Sequence, residues 1–268
     1  MVDDELWILI KPLLPPPKPW RTKNPGRFPV PNRAALNGIL FVLKTGIRSN
    51  NLPTQIGFGS GATCWRRLRD WHKAGVWDRL HELLLAKLWA ADQIDFSRAA
   101  VDSSSVRAVR AGPKTGPNPV DRARPGSKHH IVTDANCTPL TMTLTGANAN
   151  DVTQLLPLID AIPSIRGLRG HPIQRPRVVY ADRDYDSGRH RQASRNRGIE
   201  PVITKRRTEH CSGLGKYHWV VERTHSWLHN FRRLRTRFER RADIHEAFLK
   251  LACSLVCWNI FRRIEQPF

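Results

Sequence analysis

Apolar positions in the first third of the chain recur every three to four residues, the spacing of helices with one buried face. A short helix is predicted over 3–9, stopped by Pro12 and by Pro15-Pro16-Pro17. Asn32 stands where it can cap a second helix reaching Leu43 and ending near Gly46. After the break Gly57-Phe58-Gly59-Ser60-Gly61, Thr63 is placed to cap a third helix, with Trp65, Leu68 and Trp71 or His72 on one side. Gly75 suits the left-handed residue beyond its end. A fourth helix over 76–91 carries Leu80, Leu83, Leu84 and Leu88 at core spacing. From residue 97 the pattern changes to strands, over 98–106, 130–133 and 140–145, the last two joined by a turn at Asp134-Ala135-Asn136-Cys137. An amphipathic helix is expected over 151–162, then short strands over 177–181 and 201–204, then two helices over roughly 217–240 and 243–263. This order argues for an α/β domain over 96–268, preceded by a small all-α N-terminal domain over 1–95. No internal repeat is visible.

On a helical wheel, Val220, Trp227, Phe231, Leu234 and Phe238 form one apolar stripe. The opposite face holds His218, Glu222, Ser226, His229, Arg233 and Arg240. Glu222 is therefore expected to look into a polar cleft.

Charge narrows the choice of partner. The 268 residues include 44 Lys and Arg against 23 Asp and Glu, a net +21. A field of that sign concentrates phosphate polymers near the surface. With 40 % hydrophobic residues and nine Trp, the chain reads as a folded globule. No membrane partner is expected: the start is acidic, and the longest apolar stretch, 249–260, is shorter than the ~20 residues a bilayer requires. Five cysteines form no CxxC pair, and Cys253 and Cys257, four apart, read as core residues and not as zinc ligands. The expected location is the reducing cytoplasm.

Three segments are candidates for DNA contact. Residues 107–128 form a Gly- and Pro-rich basic loop, with Arg107 and Lys128 at its ends and Asp121 alone opposing. Arg232, Arg233, Arg235, Arg237, Arg240 and Arg241 put six cations within ten residues, which a polyanion would neutralise. Arg223 stands beside Glu222. The helix, glycine turn and helix over 63–91 fit two readings, a helix-turn-helix reader of DNA or a plain packing module.

The candidate chemistry rests on three acids. Asp102 ends the apolar run Ala99-Ala100-Val101, and Asp182 ends Val178-Val179-Tyr180-Ala181. Singly, each has a plain explanation: a turn-starting acid at Asp102, local capping within Asp182-Arg183-Asp184-Tyr185-Asp186, and an ion pair between Glu222 and Arg223. Together they offer hard oxygen ligands for Mg²⁺ or Mn²⁺. Two such ions roughly 4 Å apart activate an attacking oxygen and stabilise a leaving one. Carboxyl ends of neighbouring strands in an open α/β sheet converge, and a helix can supply the third ligand. Should Glu222 fail as that ligand, Glu209 and Glu239 are the alternatives.

Motifs along nearly the whole chain resemble the DDE transposases of bacterial insertion sequences, of the insertion-sequence-five family in the insertion-sequence-four superfamily. They include Leu6-Trp7, Leu13-Leu14-Pro15, Leu43-Lys44-Thr45-Gly46 and Val101-Asp102-Ser103-Ser104-Ser105-Val106-Arg107. Thr115-Gly116-Pro117-Asn118-Pro119, Gly126-Ser127-Lys128-His129-His130 and Gly146-Ala147-Asn148 follow. The later ones are Ala181-Asp182-Arg183-Asp184-Tyr185-Asp186-Ser187 and Trp219-Val220-Val221-Glu222-Arg223-Thr224, with Phe231-Arg232-Arg233-Leu234 beyond. The resemblance implies a ribonuclease-H-like catalytic domain holding two divalent ions, Mg²⁺ or Mn²⁺, on Asp102, Asp182 and Glu222. It implies cleavage at the ends of the element and joining of the 3′-hydroxyl to target DNA, with the N-terminal region helping to recognise those ends. Partners would be double-stranded DNA, both terminal inverted repeats and target. Two ends must be paired, so a homo-oligomer on DNA is expected, in the bacterial cytoplasm and associated with the nucleoid. The chain departs from the family in carrying Asp184 and Cys137 where Gly is usual. Gly215, His218 and His229 stand where the superfamily often has Tyr, Arg and Lys. Two rival functions share these features: a DNA-binding repressor that does not cut, and a structure-specific nuclease of the same fold.

Overall fold

A computed structural model describes residues 1–16, 23, 28–167, 171–206 and 213–265. Four helices open the chain: α1 (Asp4–Ile10), α2 (Asn32–Thr45), α3 (Gly61–Lys73) and α4 (Val76–Ala90). Local chemistry sets their ends. Asp3 caps α1 by accepting from the Leu6 N–H, and Gly46, at φ +76°, closes α2. The cap of α3 is Ser60, whose Oγ accepts from the Thr63 N–H, so Thr63 itself lies inside the helix. Gly75, at φ +70°, makes the turn into α4.

Strands β1 (Ala99–Ala108), β2 (Gly116–Pro117), β3 (Pro125–Asp134) and β4 (Pro139–Gly146) follow, then α5 (Val152–Asp160), β5 (Val178–Ala181), α6 (Gly188–Arg195) and β6 (Glu200–Ile203). The chain ends in α7 (Gly215–His229), α8 (Arg232–Arg235), β7 (Thr236–Arg237) and α9 (Ala242–Glu265). The five longer strands lie in the order β4-β3-β1-β5-β6. β3 runs antiparallel to both β1 and β4, whereas β1, β5 and β6 are mutually parallel. That order, with β3 alone reversed among the five, is a ribonuclease-H-like sheet.

Several expectations change here. β1 and β3 are longer than predicted and take both ends of the expected basic loop, leaving 109–124 between them apart from the two-residue β2. Helix α6 was not foreseen; its sequence is polar throughout except Ala193, so no apolar period marks it. The helix expected over 217–240 stops at His229. Asn230 and Phe231 turn the chain, and Thr236 and Arg237 pair with Arg107 and Ala108 as a short parallel strand. Val220, Phe231 and Leu234 are buried and Glu222, Ser226 and Arg240 exposed as expected, but His218 and Arg233, placed on the polar face, are buried, and α7 also buries Val221, Thr224, His225 and Leu228.

The helical region and the sheet share one hydrophobic core that runs from Val2 to Phe261. α9 joins them, packing on α3 and α4 as well as on β4. The change near residue 95 is thus a change of element type within continuous packing. α4 buries Trp77, Leu80, His81, Leu84 and Leu88, with His81 bonded to the Pro139 carbonyl at 2.8 Å. The apolar side of the second helix of the 63–91 pair packs into this core, while Arg79 and Glu82 on its other side stay exposed. α9 is long and apolar enough, by length and composition, to cross a membrane, but most of it lies inside this core. Cys253 and Cys257 are fully buried on it, and burial pushes both thiols up.

Candidate active site

Strand pairing brings the first two acids together. Val101 on β1 and Ala181 on β5 are partners in parallel register. Asp102 and Asp182 are the next residues along each chain, so they stand side by side; Asp182 lies just past the carboxyl end of β5, whereas Asp102, expected at a strand end, lies within β1, which runs on to Ala108. Asp102 Oδ1 accepts from the Ser103 N–H at 2.7 Å, and Asp182 Oδ1 accepts from the Asp184 N–H at 3.1 Å, capping a 3₁₀ turn over Arg183–Tyr185. Asp184 itself is exposed with an ordinary negative φ, so a non-glycine residue fits there without backbone strain. Cys137 differs: its φ of +67° is left-handed, which costs a side chain roughly 1 kcal/mol that glycine avoids.

α7 brings the third acid. His218 is buried against β1, where its Nε2–H donates to the Val101 carbonyl at 3.1 Å. Its other ring nitrogen, Nδ1, lies 3.6 Å from Glu222 Oε1, one turn along the helix. His218 thus ties the strand carrying Asp102 to the helix carrying Glu222. The Glu222 side chain is 65 % exposed and faces an open cleft of about 590 Å³. Asp102 and Ser103-Ser104-Ser105 form one wall of this cleft, and Glu222, His225, Ser226 and His229 form the other, with Arg235 at the margin. Asp182 lies beside the cleft, one strand over.

Electrostatics mark the same spot. Burial pushes the Asp102 carboxyl up to about 6, with His218 and the Ser103 N–H pulling it down and the charges of Asp182 and Glu222 adding to the rise. Asp182 is raised as well, first by burial and then by Asp184. Asp102 and Asp182 are both raised first by burial, and neighbouring carboxylate charge adds to each rise, an effect that a bound cation reverses. Among the described residues, no three His, Cys, Asp or Glu side chains are gathered tightly enough to enclose an ion as they stand. Glu222 is the most exposed of the three, and no described residue packs over its side chain to fix it away from the aspartates. The donor set is all carboxylate oxygen, which fits a hard divalent cation. Of the alternatives, Glu239 is buried in an ion pair elsewhere and Glu209 lies outside the described residues.

The cations divide into two groups. Arg107, Arg223, Arg232, Arg235 and Arg240 are exposed. Arg233, Arg237 and Lys128 are turned inward, against the expectation that they meet phosphate. Arg237 is fully buried and donates to the carbonyls of Pro113, Lys114 and Glu239 and to the hydroxyls of Ser127 and Thr115. Lys128 pairs with Asp151 at 2.8 Å and also donates to the Ala149 carbonyl. Arg233 pairs with Glu239 and donates to the carbonyls of Gly46 and Ile47. Arg241 is matched by Asp243. Half of the cluster of six arginines, Arg233, Arg237 and Arg241, is thus matched from within the protein, while Arg232, Arg235 and Arg240 stay exposed.

Sequence reading missed the histidines behind the cleft. His129 and His245 stack with their Nε2 atoms 2.8 Å apart, and His245 Nδ1 lies 3.1 Å from Glu239. His225 is buried at the cleft wall, and neither ring nitrogen has a hydrogen-bond partner of normal geometry among the described residues. The available signal for His225 was its place seven residues after His218 and four before His229, on one helix.

A ribonuclease-H-like sheet with neighbouring acids on adjacent central strands, facing a helix-borne glutamate, defines a class of polynucleotide-processing enzymes. Residues 95–257 match the family model described as "Transposase DDE domain", and residues 2–81 match "Putative transposase of IS4/5 family". The chain belongs to the DDE transposase family of insertion sequences, whose members carry out metal-dependent chemistry on DNA. Two proteins of one element in Burkholderia cepacia are similar. The "Putative transposase for insertion sequence element IS402" is 82 % identical over 154 residues, which is 58 % of this chain and 73 % of the relative. The "Insertion element IS402 uncharacterized 16.2 kDa protein" is 77 % identical over 119 residues, 44 % of this chain and 81 % of the relative. Two solved structures, a Mos1 strand transfer complex and a pre-cleavage Mos1 transpososome, align over 91 % and 92 % of this chain and 80 % of each of theirs. At 11 % identity and TM-scores of 0.29 and 0.27, they carry no argument about this protein.

Proposed function

We propose that this transposase cleaves DNA at the ends of its insertion sequence and joins the freed 3′-hydroxyl to target DNA, with Asp102, Asp182 and Glu222 holding two divalent ions, Mg²⁺ or Mn²⁺. The observation that carries this reading is the register of β1 and β5, which leaves Asp102 and Asp182 adjacent, with Glu222 close enough to raise the Asp102 carboxyl. Bound there, such ions would activate the attacking oxygen and stabilise the leaving one. The chain's own residues do the rest. Asp102, recessed between β3 and β5, is the central ligand; Asp182 flanks it; Glu222 swings in from α7 on a base fixed by His218. Arg235 at the cleft margin and Arg107 farther along β1 offer cations to the phosphates of a strand lying in the cleft.

Duplex ends of the element and target DNA are the proposed partners, paired by a homo-oligomer of this chain, in the bacterial cytoplasm at the nucleoid. The helical region 1–95 is the proposed reader of the ends through its exposed basic side chains, among them Arg66, Lys73 and Arg79. The test is incubation of the full chain with DNA bearing the element's terminal repeats, with Mg²⁺, Mn²⁺ or EDTA. Cleavage with either ion and none with EDTA is expected. Binding without any cleavage in either metal supports the repressor reading instead, and cutting of branched DNA lacking an element end supports the nuclease reading.

A further inference from the structure

The face of α7 next to Glu222 carries a second feature that the catalytic reading does not use. Trp219, Arg223 and Trp227 follow one another at four-residue spacing, and the Arg223 guanidinium lies 5.7 Å from one indole and 5.2 Å from the other. Trp219 is 43 % exposed, unusual for so large an apolar side chain. Two grooves flank this ladder. One, of about 530 Å³, runs past Arg98, Trp219 and Arg223; the other, of about 290 Å³, runs past Lys44 and Asn230. They share Trp227, Ile260 and Arg263 as a common wall, and Asn230 also lines the acidic cleft. The three depressions therefore form one path leading away from the catalytic acids.

The charge along that path is one-sided. No carboxylate lines either groove. Lys44, Arg98, Arg223 and Arg263 have no ion-pair partner among the described residues, in contrast to the inward-turned Arg233 and Lys128. The Nε of Arg98 is buried with no acceptor, although the guanidinium rests over Tyr217 at 5.3 Å. Unmatched cations beside exposed indoles attract a polyanion that also presents flat π faces. A second copy of this chain, itself at +21, would bring like charges onto the patch. Duplex DNA satisfies the cations but hides its base faces within the stack. A DNA strand with unpaired bases satisfies both.

We infer that the Trp219–Arg223–Trp227 ladder and its two basic grooves bind single-stranded DNA leaving the catalytic cleft, with bases stacking on the indoles and phosphates on Lys44, Arg98, Arg223 and Arg263. This rests on the proposed function, because the strand is one that opens at a cleaved end. The test separates the two by measuring binding alone, in EDTA, where no cutting occurs. The full-length protein is titrated into a labelled oligothymidine and, separately, into a labelled hairpin duplex of unrelated sequence. Trp219→Ala and Arg223→Gln are compared with the parent, and each variant's melting temperature is checked. Trp219 is chosen because Trp227 packs against the core. The expected result is a loss of about fivefold or more in single-strand affinity for each variant, with duplex affinity changed less than twofold for Trp219→Ala. Equal single-strand affinity for parent and variants at unchanged melting temperature overturns the inference. So does an equal loss on both DNA forms, or a Trp219→Ala change that alters only oligomeric state. Failure of metal-dependent cleavage leaves this binding result standing, and would remove only the source assigned to the strand.

Discussion

Arg233 and Glu239 form a buried ion pair at 2.6 Å, with side chains only 7 % and 5 % exposed. The same guanidinium donates to the carbonyls of Gly46 and Ile47, at the left-handed end of α2, and lies over the rings of Phe238 and Phe248. A residue whose sequence context suggests a DNA contact is therefore a pin between the helical region and the sheet domain.

Arg233→Ala is expected to destabilise the fold by about 3–5 kcal/mol, because it strands the Glu239 carboxylate without its cation. Denaturant melts measure this directly. If Arg233→Ala instead unfolds like the parent and loses only DNA affinity, the pin is misassigned.

Exposed and buried arginines separate by salt dependence. Arg107→Ala and Arg235→Ala are expected to leave melting unchanged and to reduce the slope of log affinity against log salt by about one each. Arg237→Ala removes a fully buried donor set and should lower stability before any DNA effect is read. A parent whose affinity barely changes between low and physiological salt contradicts the phosphate contacts altogether.

Neutral replacement of the acids should split stability from activity. Asp102→Asn, Asp182→Asn and Glu222→Gln are each expected to abolish cleavage in Mg²⁺ while binding DNA in EDTA as the parent does. Asp102→Asn should also melt higher than the parent near pH 8 without metal. Burial raises the Asp102 carboxyl to about 6, so its ionised form is disfavoured in the folded state, and the stability linked to its protonated form is lost as pH rises through that value. A lower melting temperature for Asp102→Asn under those conditions argues against the crowded anionic pocket.

Acid should loosen the fold through its histidines. Burial lowers His81 and His130 to about 4 and His225 to about 3, and takes His129 well below its usual value. Between the free value near 6.5 and these folded values, the unfolded chain binds protons that the folded chain refuses. Stability present above about 6.5 is therefore lost as pH falls toward 4. Asp102 and Asp134, both raised to about 6 by burial, act in the opposite sense over a narrower window. The expected net result is a melting temperature that drops from pH 7 to pH 4.5. His225→Leu should make that drop shallower without lowering stability at pH 7, since both ring nitrogens lack a normal partner. A drop equally steep in His225→Leu removes His225 from the account.

The sequence determined by itself what local chemistry and periodicity can decide. Gly46 and Gly75 announced two helix ends by their need for positive φ, and the apolar runs before Asp102 and Asp182 announced two buried strands, with Asp182 at the end of its strand and Asp102 within a longer one. The carboxylate set, the basic excess and the quoted motifs were likewise legible, because residue type and spacing survive without coordinates. Tertiary structure decided where side chains of the same kind end up. No feature of the run 232–241 distinguishes Arg233 and Arg237, which find carbonyls and Glu239 inside the protein, from Arg235, which reaches the cleft. The helix through 229 could have continued on propensity alone; instead the chain turns, and Thr236 and Arg237 pair with Arg107 and Ala108 of β1, a long-range contact that places the Arg237 side chain among internal acceptors. The tie from His218 to the Val101 carbonyl and the unpaired ladder on α7 depend on which elements pack together, and such long-range contacts leave no local pattern in the chain.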